Sequence, residues 1–182
     1  MSVRRIWLCA DDYGLAPGVN AAIRDLIARR RINATSVMVH PPSFNQAAAD
    51  ELAASASAHG ARIGLHVTLT APFRPLVSGF RPLQQGGFAA VGQTLASSLL
   101  RRFDGAALAA EVHAQLDRFV RAFGHAPDFV DGHQHVHLFP QIREAVLNLM
   151  ATRLPQAWVR QCAGAQLRLA PRDPKGMLID AL

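Results

Sequence analysis

Three short stretches hold most of the side chains able to do chemistry. ADDYG carries adjacent carboxylates, Asp11 and Asp12, and GLHVT carries His66. DGHQHVHLFP, from Asp131 to Pro140, carries His133, His135 and His137, three of the chain's eight histidines, at every second position. Imidazoles are costly to bury without partners. Together with carboxylates they supply the mixed nitrogen and oxygen donors that hold a divalent metal.

Spacing helps to separate ligand from base. In an extended chain, residues two apart face the same side, so His133, His135 and His137 are expected to point into one cavity. Asp11 and Asp12 cannot share one face of a straight strand. Where a strand ends and the chain bends, one carboxylate can bind metal while its neighbour approaches the bound water. Gly14 permits such a bend. His133 and His137 also have the i, i+4 spacing of a zinc-protease helix. The HExxH order is absent, however, and Gly132 and Pro140 frame the stretch as a strand end and a turn.

Alternating strands and helices must position these groups. Residues 6–10 read as a buried strand closed by the two aspartates. Pro17 opens a helix at its first position, where its missing N–H costs little, and Val19, Ile23, Leu26 and Ile27 give it an apolar stripe. Further strands are expected over residues 34–40, 62–70 and 128–136, with a short one at 158–161. Ser43 and Gln46 have capping-box spacing, which predicts a helix over 44–57. Residues 71–93, with three prolines and four glycines, form a long loop of the kind that is usually functional. A short helix is expected over 94–102. Leu108, Val112, Leu116, Phe119 and Phe123 mark a longer amphipathic one. Pro140 opens another, with Ile142, Val146 and Leu149 facing inward.

Strands alternating with helices imply an α/β fold with a parallel sheet, open or closed into a barrel. In both forms the active site lies at the C-terminal ends of the strands. Asp11, Asp12, His66 and the three clustered histidines all fall at that edge. His40 shares it without a motif, and His59, His113 and His125 read as surface.

The bulk composition is that of one globular domain over residues 1–182, with 50% hydrophobic and 18% charged residues. Cys9 and Cys162 form no CxxC, which fits a reducing compartment. The first apolar run is too short for a signal-peptide core or a membrane span, so a soluble, cytoplasmic protein is expected. The formal charge is +6, with Arg29, Arg30 and Arg31 as the densest cluster. These arginines end a predicted helix, where cations complement the macrodipole. No aromatic-basic motif accompanies them, so nucleic acid is not an expected partner.

Taken together and in order, ADDYGLAPGVNAAI, GLHVTLT and DGHQHVHLFP resemble the N-terminal signatures of the YdjC-like carbohydrate deacetylases, which include the chitooligosaccharide deacetylases. The resemblance covers roughly residues 5–150. It implies an irregular (β/α) barrel of the polysaccharide-deacetylase type. It also implies a hydrolase that removes the acetyl group from an N-acetylated sugar, using one divalent metal ion, Mg or Zn. By the same resemblance Asp12, His66 and His133 are the metal ligands and Asp11 is the general base. His135 and His137 are left as supports of the ligands or as the acid for the departing amine.

Family members also run to about 250 residues, the usual size of such a barrel, and carry a later His-Pro motif. No such motif occurs between Pro140 and Leu182. The barrel is therefore expected to be C-terminally incomplete, with two free sheet edges that favour self-association into a homo-oligomer. A rival reading is a truncated, non-catalytic member that keeps the metal site and binds a sugar or a partner. A phosphate-ester hydrolase would share the ligands but would want a phosphate-cradling Gly-rich loop, which is absent.

Overall fold

The computed structural model describes residues 6–162, so the domain expected over 1–182 extends past them at both ends. The elements run β1 (Cys9–Tyr13), α1 (Pro17–Ala28), β2 (Ala34–Val37), α2 (Gln46–His59), β3 (Arg62–Val67), α3 (Val91–Leu99), α4 (Gly105–Phe123), β4 (Phe129–Gly132), a 3-10 segment (His133–Leu138), α5 (Pro140–Arg153) and β5 (Trp158–Val159). The strands form one parallel sheet in the order β1-β2-β3-β4-β5. Strands covered by helices are buried on both faces, and every residue of β2 and β4 is buried.

Strand β1 begins three residues later than expected, at Cys9 rather than residue 6. Asn33 is the reason. Its side chain accepts from the Leu8 N–H at 2.7 Å and donates to the Ile6 carbonyl at 2.9 Å. Those backbone groups are satisfied by a side chain instead of a strand partner, and Ile6 is 73% exposed. The shift puts Asp11 and Asp12 inside the strand instead of after it.

Helix starts follow local chemistry. Pro17 is the first residue of α1 and Pro140 of α5. Asn45, not Ser43, caps α2 by accepting from the Ala48 N–H at 3.0 Å, which moves that helix two residues downstream of the expected span. Asp104 caps α4 through the Ala106 and Ala107 N–H groups. Leu108, Val112, Leu116 and Phe119 of α4 pack with Ile142, Val146 and Leu149 of α5 in the core, as their spacing predicts. The loop before α3 is anchored by buried Phe80, which meets Phe88 edge to face at 5.1 Å and lies 5.8 Å from Phe103.

Among the described residues the sheet is open, with β1 and β5 at its edges. Side chains nonetheless join those edges. Trp7 stacks on Trp158 at 6.1 Å, and Arg160 reaches across to Asp11. No helix among the described residues is long and apolar enough to cross a membrane.

Candidate metal centre

The end of β1 is bent so that two adjacent carboxylates serve one site. The β1–β2 register breaks between Ala10 and Tyr13, and Asp12 takes a φ of 67°. Left-handed backbone is uncommon outside glycine, although Asp tolerates it better than most residues. Gly14 completes the bend with a φ of 100°, and a Cβ there would lie 2.4 Å from the Met38 carbonyl oxygen.

Three side chains from three strand ends then converge. Asp12 Oδ1 lies 3.2 Å from His66 Nε2 and 3.0 Å from His133 Nδ1. One ligand atom from each of the three falls within 4.8 Å of the others. His66 is 3% exposed, whereas the Asp12 side chain is 33% exposed, so the group is rooted in the core and open on one side. The other nitrogen of His66, Nδ1, meets Asp131 Oδ1 at 2.6 Å and Ser36 Oγ at 3.0 Å.

The charges are tightly coupled. Hydrogen bonds from His133 and then His66 hold the Asp12 carboxyl well below the usual carboxylate range. Burial works to lower the His66 pKa, but its bonds to Asp12 and Asp131 outweigh burial and raise it to about 9. Burial also opposes ionisation of Asp131, and the pull of His66 and Arg160 again prevails, keeping that carboxyl low.

Arg160 follows β5 and closes the arrangement from the far edge of the sheet. Its Nη1 donates to Asp131 Oδ2 at 2.9 Å and also to Asp11 Oδ1. Cys9, Asp11 and Asp131 form a second close group of ligand-type atoms, but the Arg160 cation already bonds both of its carboxylates. Burial, then the Asp131 and Asp11 charges, push the Cys9 thiol up to about 12.

The alternating histidines do not share a face. Strand β4 stops at Gly132, and the next residues coil into the 3-10 segment, with Gln134 at φ 54° and His135 at φ 60°. The expected strand to residue 136 is therefore not formed, and neither the extended nor the α-helical spacing applies. His133 alone of the three joins Asp12 and His66, and Asp11 falls in the separate group with Cys9 and Asp131. His137 is buried with its Nε2 3.1 Å from the Arg160 carbonyl oxygen, and burial pushes it below the usual imidazole range. His40 is buried against Glu111 at 3.1 Å, away from the ligand group. Sequence reasoning assigned no role to Asp131 or Arg160. Asp131 had a signal in its place two residues before His133, whereas Arg160 had none.

Cavities lie elsewhere among the described residues. One of about 470 Å³ sits at the N-terminal end of the sheet between Trp7, Arg62 and Trp158. Another of about 560 Å³ lies under the long loop between Arg74, Gln84 and Phe88.

A sequence profile described as YdjC-like protein matches residues 5–179. Similar curated proteins include a carbohydrate deacetylase of Danio rerio, 29% identical over 163 residues, which covers 83% of this chain and 50% of that protein. A chitooligosaccharide deacetylase of Enterobacter sp. (strain 638) is 31% identical, over 79% of this chain and 54% of its own length. One of Yersinia pestis (strain Pestoides F) is 34% identical, over 73% of this chain and 50% of its own. The chain thus spans about half the length of the curated relatives it matches. A solved structure from Enterococcus faecalis V583, provisionally described as a cellobiose-phosphate cleavage protein, superposes with a TM-score of 0.66 at 23% identity. It covers 92% of this chain and 61% of its own, and it attests the fold.

Proposed function

The chain belongs to the YdjC-like family, and on that premise we propose that it carries the metal-binding half of a carbohydrate N-deacetylase, a hydrolase that releases acetate from an N-acetylated sugar or short chitooligosaccharide. The observation that carries the reading is the convergence of Asp12, His66 and His133, with Asp11 preceding Asp12 in the chain and bonded to Arg160.

The donor set fits a divalent ion. Histidine ligands usually have their second nitrogen held by an acceptor, and Asp131 does this for His66. Two imidazoles and one carboxylate suit zinc better than magnesium, which favours oxygen donors. When bound, the ion supplies a Lewis acid that activates water and polarises the amide carbonyl.

The chain's own residues do the rest. Asp12, His66 and His133 bind the ion, and His66 gives up its proton to do so. Asp11 takes the proton of the attacking water as general base, and the proton returns to the sugar nitrogen as the C–N bond breaks, so that acetate and a free amine leave. Arg160, bonded to Asp11 and Asp131, ties the base to the carboxylate that holds His66. The sequential parallel strand order and the contacts between Trp7 and Trp158 support an irregular (β/α) barrel as the parent architecture.

Metal analysis of the purified chain, followed by an acetate-release assay on diacetylchitobiose with zinc or magnesium, tests the reading. One ion per chain with metal-dependent acetate release is the expected result. One ion without acetate release would favour the non-catalytic alternative, and no ion would remove the metal centre.

A further inference from the structure

Among the described residues the most deeply buried acidic side chain outside the metal centre is Glu111 on α4, which is 0% exposed. Burying a carboxylate is costly, and an apolar residue would pack a helix against a loop without that cost. Glu111 meets the cost with four donors. Its Oε1 accepts from His40 Nε2 at 3.1 Å and from Gln115 Nε2 at 3.0 Å. Its Oε2 accepts from the backbone N–H groups of Leu76 and Val77 at 2.8 and 3.0 Å. One turn along the helix, Gln115 grips Thr68, accepting from its N–H and donating to its carbonyl, both at 2.9 Å. The two side chains hold both ends of segment 68–77. All four contacts of the Glu111 carboxylate are made, while His40 Nδ1 on the far side of the ring has no hydrogen-bond partner among the described residues. A buried network of this kind rigidifies the segment it holds.

What the network fixes is Phe73. The Phe73 ring stands nearly perpendicular to the ring of His133, with centroids 6.0 Å apart, and lies 6.3 Å from the ring of His40. It is only partly buried. An aromatic ring is thereby held beside the open metal-ligand group by a clamp in the core. A pyranose ring has an apolar C–H face and polar edges, and an aromatic side chain suits that face.

We propose that Phe73 is the surface on which the sugar ring rests when its acetamide lies at Asp12, His66 and His133, and that Glu111 is the positioning residue that holds it there. This inference rests on the deacetylase reading. Glu111 touches no reacting atom and acts through the loop.

Isothermal titration of the 182-residue chain with diacetylchitobiose, with zinc stoichiometry measured in parallel, tests it. Phe73→Ala is expected to weaken sugar binding about tenfold, the size of one good aromatic contact, with zinc unchanged. Phe73→Trp is expected to restore binding. Phe73→Leu keeps the apolar bulk beside His40 without a π face, and is expected not to. Glu111→Gln keeps the size but turns an amide donor toward groups that now donate. It is expected to cause a similar loss, again with zinc retained, and faster proteolytic cleavage within 71–77. Wild-type affinity in Phe73→Ala, or full recovery in Phe73→Leu, would overturn the assignment while leaving the deacetylase reading intact. A wild-type chain that binds zinc but no diacetylchitobiose would overturn both.

Discussion

Asp131 Oδ1 lies 2.6 Å from His66 Nδ1, and the two residues are direct partners in the β3–β4 register. Parallel neighbours at one register position project to the same face, so the pair is built by the sheet itself. The contact fixes which nitrogen of His66 is presented to Asp12. Asp131→Asn keeps the shape but removes the charge that orients the imidazole and pairs with Arg160. Zinc affinity is expected to fall about 10–100-fold, with stoichiometry unchanged at saturation. Chelator competition measures this, and an unaltered affinity would count against Asp131.

The ligand assignment makes a sharper demand. His66→Ala and His133→Ala each leave two of three protein ligands, and each is expected to lose the bound ion in equilibrium dialysis against micromolar zinc. If both variants keep full stoichiometry, the ion is bound elsewhere.

Asp11 precedes Asp12 in the chain but does not join the Asp12, His66 and His133 group, and it is bonded to Arg160. Asp11→Asn is therefore expected to leave zinc binding largely intact while acetate release falls by about 10²–10⁴-fold, the usual cost of losing a general base. A wild-type rate on a chain shown to be active would take Asp11 out of the mechanism.

Both thiols are expected to be inert in the folded chain. Burial and the Asp131 and Asp11 charges push the Cys9 thiol up to about 12, and burial pushes Cys162 upward as well. The thiolate is the reactive form, so at pH 8 very little of Cys9 would be in it. Iodoacetamide at pH 8 should label neither residue quickly in the native state and both in denaturant. The native rate should keep rising with pH beyond 10. Fast native labelling of Cys9 at pH 8 would mean that the carboxylates around it are arranged differently.

The convergence of Asp12, His66 and His133 was legible because each sits at or beside a strand end, and strand ends of one parallel sheet meet at one edge. All five strands and the helices that follow Pro17 and Pro140 were legible as well. What escaped the sequence was non-local. Strand β1 starts late because Asn33, 25 residues from Leu8, bonds its backbone. The period of two in HQHVH imitates a strand, yet Gln134 and His135 turn left-handed directly after His133. The pairing of Asp131 with His66 depends on register, which Asp128 helps set by accepting from the Ile63 N–H at 2.9 Å. Arg160 and Glu111 act across gaps of 149 and 71 residues, to Asp11 and His40. Local spacing carries no trace of such partners.

Gly64 offers a test of how the aromatic floor supports the site. It lies on β3, two residues before His66, and the Phe129 ring of β4 lies directly over it. A Cβ at Gly64 would fall 2.4–2.6 Å from three Phe129 ring atoms, well inside contact distance. Phe129 cannot easily withdraw, because it is fully buried and stacks on Trp158 at 4.5 Å, which in turn stacks on Trp7. Overpacking of this kind typically costs about 1–3 kcal/mol. For a domain of this size, Gly64→Ala is thus expected to lower the melting temperature by roughly 3–10 °C. The ligands sit beyond the clash, so zinc stoichiometry at low temperature should stay at one. Phe129→Leu removes the ring that the new methyl would strike. The double variant should therefore melt higher than the sum of the two single losses predicts, by a coupling of about 0.5–3 kcal/mol. Additive losses would show that the Gly64 methyl is accommodated by backbone movement of β3 instead, and in that case His66 should shift with it and zinc affinity should fall.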